Sequence, residues 1–326
     1  MADRGSRIVV AERLSNSALE RLRVVGEVLQ LDSCDPDTLR GAVRDCHALV
    51  VRTYADVSAD IIESAPALKV IARAGVGVEN IDTKAAAAAG VTVVHTPAAS
   101  TEAVAELTIG LIITLERRLC WAQEQLRQGN FKRARDQLAS AQLGEMTLGI
   151  IGFGRIGQCL AGIAQRAFSM SILFNDILPI PHDEDVAHAV SKDEIYAEAD
   201  VVSLHLPLTP ATQGLIDAAT LRKMKSTALL INTARGAVVD AAALAAALDA
   251  GVIAGAAIDV FDPEPPPPDH PLLSAPRCLL TPHIGSRSAS SLGAMNDVVD
   301  DVIAVLQGRE PRYPYRDDVT AARPSP

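Results

Sequence analysis

One stretch of the chain constrains its fold more than any other, because an apolar run, Thr147–Ile151, leads straight into a GxGxxG pattern. In such a position Gly152 permits a tight turn, Gly154 lets the phosphates of a ligand approach the backbone, and Gly157 lets the next helix pack closely on the strand. The first turn of that helix would offer its free N–H groups to the phosphates. The pattern therefore predicts a βαβ unit that binds a dinucleotide.

The next apolar run narrows the choice of dinucleotide. It spans Ser171–Asn175 and is followed by Asp176, which lies about 20 residues beyond Gly157, where a ribose-binding carboxylate belongs. A carboxylate there accepts hydrogen bonds from the ribose hydroxyls of adenosine and repels a 2′-phosphate. No arginine occurs at residues 177–180 to bind such a phosphate. The sequence therefore favours NAD over NADP.

Short β-branched runs alternate with helix-like segments along most of the chain, which is typical of parallel βα units. The runs form two series, one before residue 98 and one after residue 146. With 326 residues, 48% of them hydrophobic, the chain is long enough for two cores. The predicted fold is α/β with two Rossmann-like, doubly wound parallel sheets. Near the end, apolar residues recur every three or four positions at 292–306, which predicts one amphipathic helix that needs a surface to cover.

Charge and cysteine content exclude several kinds of partner. The net charge is −10 and no dense block of Lys or Arg occurs, so we expect no nucleic-acid partner. The first residues lack the apolar region of a signal peptide, and no apolar run reaches the length of a bilayer span. We therefore expect no membrane partner and a cytoplasmic location. Five scattered cysteines without a CxxC pair indicate reduced thiols and no metal site.

Three polar residues follow strand-like segments in the second half of the chain: Arg235, Glu264 and His283. Open α/β sheets bind ligands beyond the carboxyl ends of their strands, so these side chains can converge on one crevice. A histidine carries protons near neutral pH, and a neighbouring carboxylate fixes its tautomer. An arginine can bind a carboxylate and polarise a carbonyl. Together the three residue types suit a redox reaction between a ketone and an alcohol.

Motifs spread over nearly the whole chain resemble those of the D-isomer-specific 2-hydroxyacid dehydrogenase family. They lie at residues 51–53, 73–82, 104–108, 149–157, 232–236, 259–265 and 282–285. The resemblance implies an NAD-binding Rossmann domain, residues 99–289, inserted into a discontinuous substrate-binding domain formed by residues 1–98 and 290–316. Residues 317–326 would be a mobile tail. Because the chain stops at Pro326, we expect no counterpart of the regulatory domain that longer members carry.

The resemblance also implies a reaction, the NAD-dependent transfer of a hydride between a D-2-hydroxy acid and its 2-keto acid. Arg235 would bind the carboxylate and carbonyl of the substrate. Glu264 would partner His283, and His283 would exchange the proton. The backbone at Val76 and Gly77 would also hold the substrate carboxylate.

Further cofactor contacts follow from the same resemblance. Arg155 and Ile156 would lie on the pyrophosphate, Thr233 would lie near the nicotinamide, and Asp259 would hold its carboxamide. Leu206 is a departure, since it occupies a position where a threonine often contacts the cofactor.

The substrate is the open question at this point. Among family members the chain is most similar to those that oxidise D-3-phosphoglycerate, and Arg52 and Arg73 could bind the phosphate. Three basic residues either add to that pocket or form a solvated face: Lys132, Arg133 and Arg135. The alternatives are a glyoxylate, hydroxypyruvate or other D-2-hydroxyacid reductase and, in a different class, an NAD-sensing corepressor. From the resemblance we also expect a homodimer, with the apolar segment 104–115 and the connecting segment near it as a candidate interface.

Overall fold

The computed structural model describes residues 5–316, and the predicted tail at 317–326 lies outside the described residues. The chain divides into two compact units. The first unit consists of Met1–Ser100 and Arg287–Pro326, and the second unit consists of Thr101–Ser286. Strands and helices are numbered along the chain.

The first unit is built on one parallel sheet. Its strands are β1 Ser6–Val10, β2 Gly26–Gln30, β3 Ala48–Val51, β4 Val70–Arg73 and β5 Thr92–His95. They lie in the order β2-β1-β3-β4-β5. Along β3, Ala48 and Val50 pack into one core cluster while Leu49 and Val51 pack into another. Both faces of the sheet are therefore covered, as parallel sheets require.

Six helices cover these two faces. They are α1 Asn16–Arg23, α2 Pro36–Val43, α3 Ala59–Glu63, α4 Thr83–Ala88, α12 Ala289–Met295 and α13 Val298–Leu306. Residues of α2, α3 and α4 pack on one face, and residues of α1, α12 and α13 pack on the other. The start of α2 shows the local signals that set a helix boundary. Pro36 lies in its first turn, and the Asp35 side chain accepts the N–H of Thr38 at 3.0 Å.

The C-terminal part of the first unit departs from the sequence prediction in one respect. One helix was predicted over residues 292–306, and the structure has two, α12 and α13, which meet at Asn296. The buried Asn296 side chain donates to the carbonyl of Leu292 at 2.6 Å and accepts the N–H of Ser15 at 3.1 Å. Such side-chain bonds compete with helical backbone bonds and favour a break. The apolar residues on both sides still cover the first sheet, as the pattern requires.

The second unit contains a larger parallel sheet. Its strands are β6 Thr147–Ile151, β7 Ser171–Asn175, β8 His188–Ala189, β9 Val201–Leu204, β10 Leu229–Asn232, β11 Gly255–Ile258 and β12 Cys278–Leu280. They lie in the order β12-β11-β10-β9-β6-β7-β8. The two-residue strand β8 was not predicted, because so short a run has no hydrophobic pattern to detect. The change of direction between β6 and β9 creates the crevice at which such sheets bind ligands.

Helices pack on both faces of this sheet as well. They are α5 Thr101–Glu116, α6 Leu119–Arg127, α7 Phe131–Gln137, α8 Arg155–Phe168, α9 Lys192–Glu198, α10 Ala218–Leu221 and α11 Ala241–Asp249. Most apolar residues of α5 are buried in the core of the unit itself, together with residues of α8. In contrast, α6 has no buried residue, and Leu119, Leu126 and Phe131 are exposed.

The predicted fold class is confirmed, since both units are α/β with parallel, doubly wound sheets. The first unit is also discontinuous in sequence, because α12 and α13 return to cover the sheet of β1–β5. Within residues 5–316, no helix combines the length and the apolar character needed to cross a membrane.

Candidate active site

The glycine loop, residues 152–157, connects β6 to α8 and has no space for a Cβ at two positions. Gly152 has φ +95, and a Cβ there would lie 2.3 Å from the carbonyl oxygen of His205. A Cβ at Gly157 would lie 2.4 Å from the carbonyl oxygen of Gly152. At Gly154, directly before α8, a Cβ would meet nothing within 4 Å. The loop therefore leaves open backbone at the start of a long helix, which fits the pyrophosphate of a dinucleotide.

Asp176 lies directly beyond β7 and is already tied to the glycine loop. Its Oδ2 accepts the N–H of Phe153 at 2.8 Å, and its Oδ1 accepts the N–H of Leu178 at 2.9 Å. Each carboxylate oxygen has a second lone pair, so Asp176 can still accept hydrogen bonds from a ribose. A cavity of about 580 Å³ opens beside it, lined in part by Ile180 and Val190.

The other predicted cofactor residues lie at the same edge of the sheet. Arg155 and Ile156 form the first turn of α8, and Leu206 packs against the glycine loop from the end of β9. Thr233 directly follows β10, and its hydroxyl lies 3.4 Å from that of Thr108 on α5. All four positions therefore lie within the second unit, beside the crevice between β6 and β9.

His283 and Glu264 form a hydrogen-bonded pair at this edge. His283 Nδ1 lies 2.8 Å from Glu264 Oε2, and because a carboxylate only accepts, Nδ1 carries a hydrogen. Nε2 is then left for proton exchange. The His283 side chain is 42% exposed, so a substrate can reach it. Burial raises the pKa of Glu264, but hydrogen bonds from His283 and from the N–H of Phe261 outweigh burial and hold that pKa below its usual value.

Asp259 fixes the backbone around His283. This carboxylate is 1% exposed and accepts three hydrogen bonds, from the Thr281 hydroxyl at 2.6 Å and from the N–H groups of Ile284 and Gly285 at 2.8 Å. The carbonyl of Asp259 also accepts the N–H of His283 at 2.8 Å. These bonds hold His283 at φ +52, a left-handed conformation that is costly for a histidine. The sequence prediction gave Asp259 a cofactor contact and missed this positioning role.

Asn232 holds the segment that carries Arg235. The Asn232 side chain is fully buried at the end of β10, where it accepts the N–H of Ala234 at 3.0 Å and donates to the carbonyl of Arg235 at 2.9 Å. The charge of Arg235 helps to keep Glu264 ionised. Sequence reasoning gave Asn232 no role, although an amide at the end of an apolar strand is the signal of a buried loop anchor. Arg235, Glu264 and His283 are thus placed at one edge of the sheet by β10, β11 and β12.

The first unit contains the predicted substrate contacts Arg52 and Arg73. Arg52 follows β3 and is half-buried, with its guanidinium 3.8 Å from Met295 Sδ. Burial lowers the pKa of Arg52, the charge of Glu12 opposes that change, and the charge of Arg287 adds to it. Within residues 5–316, Arg52 makes no ion pair.

Arg73 ends β4, and its guanidinium lies against its own loop, where NH1 donates to the carbonyl of Ala74 at 3.4 Å. A Cβ at Gly75 would lie 1.1 Å from Arg73 NH1, so this glycine is what leaves space for the guanidinium. In the same loop the carbonyl of Val76 lies 2.7 Å from His95 Nδ1, a contact that holds the backbone at Val76 and Gly77. Sequence reasoning did not identify His95.

The three basic residues proposed to extend this pocket lie on α7 in the second unit. Lys132, Arg133 and Arg135 are all exposed. Their exposure is that expected of a solvated helix face, the second of the two alternatives that the sequence left open.

Comparison with known proteins identifies the family of the chain. The family model for the NAD binding domain of D-isomer specific 2-hydroxyacid dehydrogenases matches residues 109–285. The chain belongs to this family, and the domain with the glycine loop binds NAD. The family resemblance and the cofactor predicted from the sequence are both confirmed.

Individual relatives carry different activities. A D-3-phosphoglycerate dehydrogenase of Methanocaldococcus jannaschii is 39% identical over 306 residues, which are 93% of this chain and 58% of that protein. A glyoxylate reductase of Thermofilum pendens is 40% identical over 292 residues, 86% of this chain and 85% of that protein. A crystal structure of a Thermus thermophilus protein aligns with TM-score 0.88 and 39% identity, covering 95% of this chain and all of that one.

Proposed function

We propose that this protein is an NAD-dependent dehydrogenase that interconverts a D-2-hydroxy acid and its 2-keto acid, with D-3-phosphoglycerate as the preferred substrate. The observation that carries the proposal is the His283–Glu264 pair, 2.8 Å apart, at the edge of the sheet that also presents the glycine loop. A proton carrier beside a dinucleotide site is what alcohol oxidation requires.

In the proposed reaction His283 handles the proton of the substrate oxygen. During oxidation Nε2 of neutral His283 takes the hydroxyl proton of C2, and during reduction protonated His283 returns a proton to the carbonyl oxygen. NAD bound at the glycine loop would supply the acceptor for the C2 hydride in oxidation and, as NADH, the hydride donor in reduction. Glu264 stabilises the protonated ring, and Arg235 binds the substrate carboxylate and the carbonyl oxygen on which charge develops.

The proposed cofactor contacts follow from the loop geometry. Gly152, Gly154 and Gly157 shape the backbone that receives the pyrophosphate, with Arg155 and Ile156 beside it. Asp176 accepts the ribose hydroxyls. Three further residues line the nicotinamide side: Leu206, Thr233 and Asp259. The Asp259 carboxylate accepts three hydrogen bonds and has one lone pair left. That lone pair can accept an N–H of the nicotinamide carboxamide.

The preference for a phosphorylated substrate rests on the first unit. Arg52 is a half-buried cation without an ion pair in the described chain, and such a charge favours an anionic ligand. Arg73 adds a second guanidinium, and the backbone at Val76 and Gly77 holds the substrate carboxylate. The M. jannaschii relative named D-3-phosphoglycerate dehydrogenase supports the same substrate class.

A panel of acids tests the proposal. NADH absorbance is followed with D-3-phosphoglycerate, D-glycerate, D-lactate, glyoxylate and hydroxypyruvate. We expect the largest kcat/KM with D-3-phosphoglycerate. A larger value with glyoxylate would favour a glyoxylate reductase, the activity for which the T. pendens relative is named. Tight NADH binding without turnover of any acid would favour a corepressor.

We also propose that the protein is a cytoplasmic homodimer. The exposed apolar residues Leu119, Leu126 and Phe131 at α6 and α7 offer an interface, whereas α5 is buried within its own unit. All five cysteines are unpaired, which suits a reducing compartment. Light scattering at micromolar concentration checks the dimer, and a monomer would contradict it. Cell fractionation checks the location.

A further inference from the structure

A single carboxylate in the first unit accepts hydrogen bonds from four backbone N–H groups. Glu12 lies two residues beyond β1, and its Oε1 accepts the N–H groups of Arg52, Tyr54 and Ala55 at 2.8, 3.0 and 3.1 Å. Its Oε2 accepts the N–H of Thr53 at 3.1 Å. Consecutive N–H groups that converge in this way form an anion cradle, and here a side chain of the protein occupies it.

The carbonyl side of the same segment, the 52–55 loop, is held as well. Asn80 Nδ2 donates to the carbonyl of Arg52 at 3.3 Å and to that of Ala55 at 2.7 Å. The backbone of the loop is therefore fixed from two directions. Its side chains are not equally enclosed, since Tyr54 is 82% exposed. The loop combines a fixed backbone with side chains that a ligand can reach, which is the design of a preorganised binding loop.

The position of Arg52 depends on these hydrogen bonds to Glu12 and Asn80. Arg52 is the first residue of the loop, and its guanidinium lies 3.8 Å from the Met295 thioether, a weak acceptor. The hydrogen bond from the Arg52 N–H to Glu12 is the shortest of the four. If Glu12 is removed, the N–H groups of the loop lose their acceptor and the start of the Arg52 side chain is free to shift.

We propose that Glu12 is a positioning residue for substrate selection, because its carboxylate fixes the 52–55 loop and so sets where the Arg52 guanidinium meets the phosphate of the substrate. This inference rests on the proposed role of Arg52. It predicts that changes at Glu12 alter the choice between substrates, whereas loss of a purely structural bond lowers stability and affects all substrates alike.

The test compares Glu12→Ala and Glu12→Gln with Asp35→Ala. Asp35 is a matched control because it is a carboxylate of the same unit that accepts a backbone N–H, at the start of α2. Glu12→Gln has the shape of the native side chain, keeps one acceptor oxygen and serves if Glu12→Ala does not fold. The readouts are kcat/KM for D-3-phosphoglycerate and for D-glycerate, which lacks the phosphate, together with thermal melting and amide hydrogen exchange at residues 52–55.

We expect Glu12→Ala to reduce the ratio of the two kcat/KM values by about 10- to 100-fold, mainly through KM for the phosphorylated acid, since a small misplacement of a binding group has effects of that order. Glu12→Gln should have a smaller effect in the same direction, with faster exchange at residues 52–55. Asp35→Ala should lower the melting temperature and leave the ratio unchanged.

Arg52→Ala separates the possible failures. If Arg52→Ala changes the ratio and neither Glu12 variant does, the inference about Glu12 is wrong while the proposed function stands. If Arg52→Ala leaves the ratio unchanged, Arg52 does not bind the phosphate and the inference about Glu12 is wrong with it. The substrate class itself is wrong if the wild-type protein does not have its largest kcat/KM with D-3-phosphoglycerate. Equal losses on both substrates in the Glu12 variants would show a structural role only.

Discussion

In the second unit the Asp259 carboxylate holds the segment that carries His283, and in the first unit the Glu12 carboxylate holds the segment that carries Arg52. Asp259 is almost completely buried and keeps a histidine in a left-handed conformation. Glu12 is only partly buried and binds the N–H groups of four consecutive residues.

The two held side chains have different surroundings. His283 has a carboxylate partner, Glu264, which suits a group that gains and loses a proton. Arg52 has no ion-pair partner in the described chain, which suits a group that binds an anion. With the proposed roles, the same device, a carboxylate that binds loop N–H groups, would support proton transfer in the second unit and recognition of an anion in the first. Substitutions in the two regions should therefore have different kinetic signatures.

The largest effect is expected at His283. His283→Ala should lower kcat by about 10²–10⁴-fold, because general acid–base catalysis contributes on that order. NAD affinity, measured by calorimetry, should be largely kept, since the glycine loop is untouched. His188→Ala, at an exposed histidine of the same unit, serves as the control. Near wild-type turnover in His283→Ala would show that another residue exchanges the proton.

At Arg52 we expect a change in KM for one substrate, in contrast to the change in kcat expected at His283. Arg52→Ala should raise KM for D-3-phosphoglycerate about 10- to 100-fold, because a charge-assisted hydrogen bond is worth roughly 1.5–3 kcal/mol. KM for glyoxylate should change little. Arg40→Ala removes an exposed arginine of the same unit and should change neither value. Equal losses on both acids would mean that Arg52 supports only the fold or the common carboxylate.

A smaller change is expected at Asp176, within the cofactor part of the second unit. Asp176→Asn keeps one acceptor for the glycine loop and removes the charge that repels a 2′-phosphate. We expect NAD affinity to fall by about 10-fold, the worth of one net hydrogen bond to a charged group, and the relative use of NADP to improve. Binding titrations with both nucleotides measure this. A wild-type protein that already prefers NADP would refute the ribose assignment.

The smallest effect is a shift in pH dependence from Glu264→Gln. Oxidation needs neutral His283 and should lose kcat/KM at low pH, whereas reduction needs protonated His283 and should lose it at high pH. The pKa of Glu264 is held below its usual value, so the carboxylate is ionised near neutral pH and favours the protonated ring. Removing that charge should move both limbs to lower pH. If the pH profiles of kcat/KM do not change, Glu264 takes no part in the proton exchange.

Local features of the sequence predicted the βα alternation, the glycine loop and the acid after β7. Each depends on residues close together in the chain. Glycine is required by the turn at Gly152 itself, and the hydrophobic pattern of a strand is complete within a few residues. The positions of Arg235, Glu264 and His283 after strand-like runs marked them as a group, and the family resemblance then implied the role of each.

The anchors of the site were decided by which strands are neighbours in a sheet. β1 and β3 are hydrogen-bonded neighbours although β2 lies between them in the chain, and this brings Glu12 to residues 52–55. β11 and β12 follow one another in the chain and are also neighbours in the sheet, which brings Asp259 to Thr281 and to the backbone around His283. The break at Asn296 also depends on a distant partner, Ser15.

The sequence by itself thus determined the fold class and the residue types of the site, because backbone requirements and hydrophobic periodicity are local. Only the tertiary structure decided which carboxylate binds which loop. A carboxylate accepts any N–H group in reach, so its partner is set by strand order and register, which no short stretch of sequence contains.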